Sequence, residues 1–264
     1  MTWRILLPTV MLAVLAGSAI AADNGQAKNA DREATPNDWQ VSAGLGVGWT
    51  PDYQGADSYG FMPLPWLQVS KGRFFFNPIS GAGVDLLSDD QWTLAPVISY
   101  AFGRNNKAAL SDFDAVDGSV MAGLLVGWTQ GHWKLDANVA KPLTGDLEGV
   151  RASGDLRYRA RVSERLNYAI GPGVTWGSSA WNGALFNVSA DDAARSGLPA
   201  YQADNAYLRA DLNTRVTYYL TRQISVSTIA RYSRLLGDAA DSPIVKDVGD
   251  ANQWFASVLA SYRF

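Results

Sequence analysis

The chain has 264 residues, with 22 Lys and Arg, 25 Asp and Glu, one His and no Cys, and its isoelectric point is near 5.1. The acidic balance argues against a broad basic surface for nucleic acid, and the absence of Cys excludes disulfides, thiolate metal sites and cysteine nucleophiles. With 25 Gly and 10 Trp at a mean hydropathy of −0.08, the chain is too polar for a helical membrane protein and too aromatic for a disordered one, which indicates an all-β domain.

The N-terminal region predicts an exported protein. Residues 1–22 carry one charge at Arg4, an apolar core from Ile5 to Ala16 and the small residues Ala19-Ile20-Ala21, which is typical of a secretory signal peptide. The apolar core is shorter than the roughly 18–20 residues that a spanning helix needs. Residues 23–38 are polar and aperiodic, so we expect a flexible periplasmic N-terminal segment before a folded domain at 39–264.

From Trp39 onward the chain alternates apolar and polar residues with a period of two, which predicts β-strands. In the first stretch the odd positions from Trp39 to Trp49 are apolar, and the even positions between them are glycine or polar. The same pattern returns in residues 92–102, 120–128, 133–139, 151–163, 166–176, 206–220, 224–232 and 254–264.

A soluble barrel or sandwich would bury the apolar face of these strands, whereas a membrane barrel would turn it toward lipid. Three features favour the membrane barrel. The segments are long, at about 10–12 residues, as tilted spanning strands require. Trp and Tyr cluster at segment ends, as interfacial belts require. The chain ends on Phe264, with Tyr262 two positions earlier on the same face. This ending resembles the signal that the barrel assembly machinery reads, so we expect outer-membrane lipid around the apolar face.

The lengths of the connections predict the number of strands. Outer-membrane barrels alternate short periplasmic turns with long outside loops and have an even strand count. Counting back from the C-terminus, this alternation holds as far as the turn at 88–91. It then requires a reversal at Pro78-Ile79-Ser80-Gly81, which divides 74–87 into two short strands. The result is an antiparallel barrel of 12 strands with both termini periplasmic, and the alternative is 10 strands.

Two stretches resemble loop motifs of the MipA/OmpV family of outer-membrane proteins. The first begins Pro51-Asp52-Tyr53-Gln54-Gly55 and leads into Pro63-Leu64-Pro65, which is similar to the first-loop motif of that family. The second is similar to the last-loop motif of the family, and its residues include Leu236, Gly237, Asp238, Asp241, Ser242 and Pro243.

The resemblance implies a barrel in the outer membrane with neither catalytic activity nor a cofactor. Family members are described as a scaffold between a murein hydrolase and a peptidoglycan synthase, as adhesins, or as porins. We therefore expect a non-enzymatic scaffold for these two cell-wall enzymes. The alternatives are a narrow pore for small solutes with anion preference, or an adhesin that acts through the outside loops.

The polar face of the strands predicts a lumen that is rich in arginine. The candidate lumen residues are Lys134, Asp136, Asp155, Arg157, Arg159, Arg161, Arg209, Asp211, Arg215 and Arg231. A bore of about 12 strands lies between plugged and open barrels. These side chains therefore form either a narrow basic passage or an Arg–Asp network that closes the lumen, since buried charges need partners.

No motif predicts a catalytic, metal or cofactor site. His132, the only imidazole, lies in a tight turn without a nucleophile motif beside it. Asp112, Asp114 and Asp117 lack the Gly and Glu of an EF-hand and predict solvated acids. The glycines at 44, 46 and 48 lie within an alternating strand, where we expect them to make room for bulky lumen side chains.

Overall fold

The computed structural model of the protein describes residues 38–264, so the predicted signal peptide, and the predicted N-terminal segment except Asp38, lie outside the described residues. Within this range 13 strand segments form one sheet. They are β1 (Gln40–Pro51), β2 (Tyr59–Lys71), β3 (Phe74–Asn77), β4 (Gly81–Val84), β5 (Leu87–Ser88), β6 (Trp92–Ala101), β7 (Ser119–Gln130), β8 (Trp133–Pro142), β9 (Arg151–Arg161), β10 (Leu166–Gly177), β11 (Tyr207–Tyr219), β12 (Ile224–Leu236) and β13 (Asn252–Arg263).

The sheet closes on itself as an antiparallel barrel of 12 strands. Each strand pairs with its neighbours in the chain, and β1 pairs with β13. Both β4 and β5 pair with β6, so together they form one interrupted strand. The predicted reversal is confirmed, because β3 ends at Asn77 and β4 begins at Gly81. The Asn77 Oδ1 accepts hydrogen bonds from the backbone N–H groups of Ile79 and Ser80 at 3.0 and 2.8 Å, which closes the turn.

The distribution of side chains is the reverse of that in a soluble barrel. On the outer face Leu45 is 73% exposed and Val258 is 48% exposed, whereas the inward-facing Asp155 and Arg157 are 1% and 7% exposed. Water would drive the apolar side chains inward, so an apolar exterior over a charged interior requires lipid as the outer solvent. The prediction of a membrane barrel is therefore confirmed.

Aromatic side chains form a belt at each end of the barrel wall. At one end Trp49 stacks on Tyr59 with ring centroids 4.2 Å apart. At the opposite end Tyr262 and Phe264 meet edge to face at 4.9 Å, and Trp133 packs on Tyr158 at 5.2 Å. Amphipathic rings favour the boundary between hydrocarbon and water, so the wall between the belts is the membrane-spanning zone.

The two ends of the barrel differ in the length of their connections. One end carries tight turns, and the other carries long loops that contain a 3-10 helix at Ala108–Leu110 and four short α-helices. These helices are α1 (Ser179–Phe186), α2 (Ala190–Ser196), α3 (Asp238–Asp241) and α4 (Pro243–Lys246). The Ser178 and Ser189 hydroxyls cap α1 and α2 by accepting hydrogen bonds from backbone N–H groups. Across the described part of the chain, every helix is too short or too polar to cross a bilayer.

A charge placed on the lipid face tests the orientation of the wall. We expect Val258→Arg, halfway along β13, to lower the free energy of unfolding by about 2–4 kcal/mol, because arginine is most costly at the bilayer midplane. Ile224→Arg, beside the aromatic belt, should cost about 0–1 kcal/mol. Reversible urea unfolding in lipid vesicles measures both values. Equal losses for the two variants would contradict the assigned membrane zone.

Candidate functional site

The long loops fold together into a cap over one mouth of the barrel. This loop cap consists of residues 51–59, 102–118, 143–150, 178–206 and 237–251. Its interior is a cluster of buried apolar side chains that includes Phe113, Leu147, Phe186 and Ile244. Phe186 also stacks on Tyr207 at the top of β11, with ring centroids 5.8 Å apart. The cap has a hydrophobic core of its own at this end of the barrel.

The two stretches that carried the family resemblance meet inside the cap. The buried Tyr53 hydroxyl donates hydrogen bonds to the backbone oxygens of Ile244 and Val248 at 3.0 and 3.2 Å. Burial, assisted by the negative charge of Asp57, raises the pKa of Tyr53 to about 12. Gly55 has φ +103°, and a Cβ there would lie 2.6 Å from a methyl carbon of Val245, so both its backbone conformation and its contact require glycine.

The remainder of the last-loop motif holds the cap together from the other side. The Ser242 hydroxyl, fully buried, donates to the backbone oxygen of Phe186 at 2.6 Å. Asp238 accepts hydrogen bonds from the backbone N–H and the side-chain amide of Asn205 at 2.8 and 3.1 Å, and these bonds hold its pKa below the ordinary range. The other motif residues shape the turn between β12 and α4. Leu236 ends β12 and Gly237 has φ +59°. Asp241 ends α3, and Pro243 is the first residue of α4.

Two residues that hold the cap, one within it and one on β13 below it, were not identified from the sequence. Arg104 is buried, and its Nη1 donates to the backbone oxygens of Leu185 and Asn187 at 2.9 and 3.2 Å. Burial lowers the pKa of Arg104 from its usual value. Gln253 accepts a hydrogen bond from the Gly55 N–H and donates one to the Ala56 oxygen. Only the inward position of Gln253 on β13 could have been recognised from the alternation.

Below the cap, charged residues of the barrel interior form pairs. Asp136 is paired with Arg157 and lies 3.4 Å from the Lys134 Nζ. The Arg209 Nε lies 3.0 Å from the Asp211 Oδ1. Asp155 accepts a hydrogen bond from the Asn213 amide at 3.0 Å. These groups lie on the inner side of β8, β9 and β11, and all except Lys134 are buried almost completely. They therefore cross-link the lumen wall with paired charges, as a low-dielectric interior requires.

At the end with tight turns the lumen opens into a vestibule with a volume of 160 Å³. Its lining combines apolar side chains such as Trp66 and Leu259 with Ser, Thr, Asn and Gln and with Arg215, Arg222 and Arg263, and the described residues that line it include no acidic side chain. A smaller cavity of 30 Å³ nearby is lined by Lys134, Arg157 and Arg159. The vestibule is therefore basic and faces the side of the membrane opposite the cap.

One of the predicted lumen residues lies apart from this network. Arg161 is exposed at the rim, where its guanidinium donates to the backbone oxygens of Ser163 and Glu164. Arg231 lies near the charges of Arg209, Asp211 and Asp155, and with Arg209 it lines a cavity of 240 Å³ beneath the cap.

His132 and the acidic residues of the 102–118 loop make local contacts in the structure. The His132 Nδ1 lies 3.0 Å from the Arg159 backbone oxygen, in a turn. Asp114 forms an ion pair with Arg195 at 3.0 Å, and the Asp112 backbone oxygen accepts a hydrogen bond from the same guanidinium at 2.8 Å. Among the described residues no group of three or more His, Cys, Asp or Glu is placed to hold a metal ion. The contacts of Asp112 and Asp114 therefore join two loops of the cap, 102–118 and 178–206.

Comparison with known proteins decides the family. The family model described as "MltA-interacting protein MipA" matches residues 43–264. The chain belongs to the MipA family. The MltA-interacting protein of Escherichia coli (strain K12) is 27% identical over 214 residues, which cover 78% of this chain and 84% of the relative. The protein of the same name from Shigella flexneri matches with the same identity and coverage.

Solved outer-membrane proteins resemble this MipA-family barrel more distantly. The COG4313 outer membrane channel from Pseudomonas putida F1 is 12% identical, with 89% of this chain and 98% of that chain covered and a TM-score of 0.43. The anion-selective porin from Comamonas acidovorans is 8% identical, with 86% and 99% covered and a TM-score of 0.39. At these TM-scores the transport properties of the two proteins do not bear on this MipA-family barrel.

Removing one member of a buried ion pair tests the lumen network of this MipA-family barrel. We expect Asp136→Asn to lower the free energy of unfolding by about 3–5 kcal/mol, because it leaves Arg157 and Lys134 buried beside a neutral amide. The double variant Asp136→Leu with Arg157→Met should recover most of the loss. Urea unfolding in micelles measures both, and Glu164→Gln in an exposed turn is the control. A loss below about 1 kcal/mol for Asp136→Asn would show that the pair is solvated.

The depressed pKa of Asp238 predicts a cap that loosens in acid. The pKa of Asp238 in the folded protein lies below its unfolded value of about 3.9. The ionised carboxylate therefore stabilises the folded cap fully at pH values above about 3.9. The contribution is lost as pH falls below about 3.9 and through the folded-state pKa. Radical footprinting of Tyr201, whose hydroxyl donates to the backbone oxygen of Asp238 at 2.9 Å, should therefore increase in acid. Asp238→Asn should remove most of this pH dependence, whereas Asp112→Asn on another cap loop should retain it.

Proposed function

We propose that this MipA-family barrel is a non-enzymatic scaffold of the outer membrane. It holds a murein hydrolase of the MltA type at the periplasmic face and, with it, a peptidoglycan synthase. The relatives are named for an interaction with MltA, which supports the choice of hydrolase. In this orientation the tight turns and the vestibule face the periplasm, and the loop cap faces outward.

The loop cap is the single observation that carries this proposal. A pore needs a continuous water path, and the loops at the outer mouth pack around a hydrophobic core, which we infer interrupts such a path. The paired charges of Asp136, Arg157, Arg209 and Asp211 occupy the bore beneath it. A barrel that is closed at one end presents its accessible polar surface on the opposite side. This arrangement favours a docking role over conduction.

The charge of the periplasmic rim indicates how a partner is recognised. Arg165 and Arg222 are exposed in neighbouring turns, and Arg222 lines the vestibule together with Arg215 and Arg263. A basic rim of this kind attracts an acidic surface, and such attraction acts mainly on the rate of association and weakens with salt. We therefore assign the docking surface to the turns at 161–166 and 219–224.

Charge reversal at this rim tests the scaffold. Association of purified MltA with the barrel in nanodiscs, measured by biolayer interferometry at low salt, should be about tenfold slower for Arg165→Glu with Arg222→Glu. The control is Lys107→Glu with Lys246→Glu, which makes the same change of charge on exposed cap residues and should leave association unchanged.

Bilayer recordings on the same protein distinguish the scaffold from the pore. We expect no conductance steps from the folded barrel, because the cap closes the lumen. Small anion-preferring steps, together with no association with MltA, would reject the scaffold and favour the narrow pore. MltA association that is unchanged by reversal of the rim charges would reject only the assigned docking surface.

A further inference from the structure

The vestibule at the end with tight turns lies below a buried apolar cluster. Trp66 of β2 and Ser227 of β12 line the vestibule. The next inward-facing residues toward the cap are Leu64 and Ile229, since inward positions recur at every second residue of a strand. These two side chains pack with Phe255 in a buried cluster. A solute that enters the vestibule therefore meets an apolar layer deeper in the bore, which favours binding over passage.

Three guanidinium groups line the vestibule, and the described residues of its wall include no carboxylate. Arg215 belongs to β11, Arg222 to the turn that follows it, and Arg263 ends β13. The Arg263 guanidinium donates to the backbone oxygen of Arg222 at 3.4 Å, and neither of these two arginines forms an ion pair within the described range. An anion that enters can therefore pair with a guanidinium without displacing an acidic side chain of the wall.

Hydroxyl and amide groups cover the wall beside the arginines. The Thr217 and Ser227 hydroxyls lie 2.9 Å apart, and the Ser225 and Ser261 hydroxyls are separated by the same 2.9 Å. Each pair uses one of its two O–H donors internally, so each pair keeps one donor and further acceptor sites. The Asn167 Oδ1 is buried and accepts no hydrogen bond from a residue in the described range. A ligand that satisfies this wall must supply hydroxyl donors as well as acceptors, which acetate or sulfate does not.

Trp66 gives the vestibule an aromatic surface of the right size for one sugar ring. Its side chain is half-buried and lines the cavity together with Leu259. The carbon-bound hydrogens on one face of a sugar pack on an aromatic ring, while the sugar hydroxyls reach polar groups around it. A cavity of about 150 Å³ holds a six-membered ring such as benzene. The vestibule, with 160 Å³ and an open mouth, therefore suits a single pyranose.

We propose that the vestibule binds an anionic sugar, a single pyranose that carries a carboxylate or a phosphate group. The anionic group pairs with Arg263 and Arg222 near the mouth. The ring packs on Trp66, and one sugar hydroxyl donates to the Asn167 Oδ1. Arginine pairs with carboxylate and phosphate alike, so the wall defines the class of ligand and titration identifies the anionic group. This binding does not rest on the scaffold role, and its test requires no partner protein.

Calorimetric titration of the barrel with methyl glucuronide tests the proposal, in polyoxyethylene micelles whose headgroups carry no sugar. We expect one ligand per barrel and a loss of affinity of about tenfold in Arg263→Gln, because a charge-assisted hydrogen bond is removed. Asn167→Asp, which adds a negative charge to the wall at almost unchanged volume, should weaken binding at least as much. Arg73→Gln makes the same change of charge in an exposed turn outside the vestibule and should bind normally.

Matched probes separate the two parts of the ligand. Methyl glucoside, in which a hydroxymethyl group replaces the carboxylate, and acetate, which lacks the sugar, should both bind much more weakly than methyl glucuronide. Equal binding of methyl glucoside would overturn the role of the arginines, and equal binding of acetate would overturn the sugar. Titration with glucose 6-phosphate distinguishes phosphate from carboxylate as the preferred anionic group. The site would be rejected if neither anionic sugar bound saturably, or if Arg263→Gln and Asn167→Asp, each shown to be folded by heat-dependent gel mobility, bound methyl glucuronide as the unaltered chain does.

Discussion

The hydrocarbon of the bilayer cannot hydrogen-bond, and this constraint determines the rest of the structure. Every backbone polar group in the spanning zone must pair within the protein, so the sheet closes through β1 with β13 and through β6 with β4 and β5. Because the surrounding solvent is apolar, the lumen is the only place in that zone for charged side chains. The pairing of Asp136 with Arg157 and of Arg209 with Asp211 follows from this confinement.

Much of the barrel could be predicted because the strand pattern depends on residues that are close together in the sequence. Alternation with a period of two assigns each residue to a face, and the requirement for an even strand count revealed the β3–β4 hairpin, although its strands are only four residues long. The prediction that Gly44 and Gly46 make room for bulky lumen side chains was wrong. A Cβ at Gly44 or Gly46 would lie 2.4 Å from a backbone oxygen of β13, so these positions permit close approach of two strands rather than room for lumen side chains.

The loop cap could not be predicted, because its contacts have no period. Helices α1 and α2 lie in a stretch that reads as a long connection, and the hydrogen bond from Tyr53 to Ile244 joins residues 191 positions apart. A single sequence gives no indication that these distant loops contact one another. Arg104 and Gln253 act only through such contacts, so their roles could not be predicted either. The family motifs marked both contributing loops, although the resemblance says nothing of how the two loops pack.

The long-range contacts of the cap also impose an order on its formation. The Gly55 N–H near the start of the barrel donates to the Gln253 side chain, which lies 198 residues later in the chain. Closing so large a loop before the wall exists would cost entropy without compensation, whereas a finished wall already holds the two segments side by side. Maturation of the cap is therefore a late event, and a barrel halted before its final strand is inserted would display loose outer segments that proteases can cut.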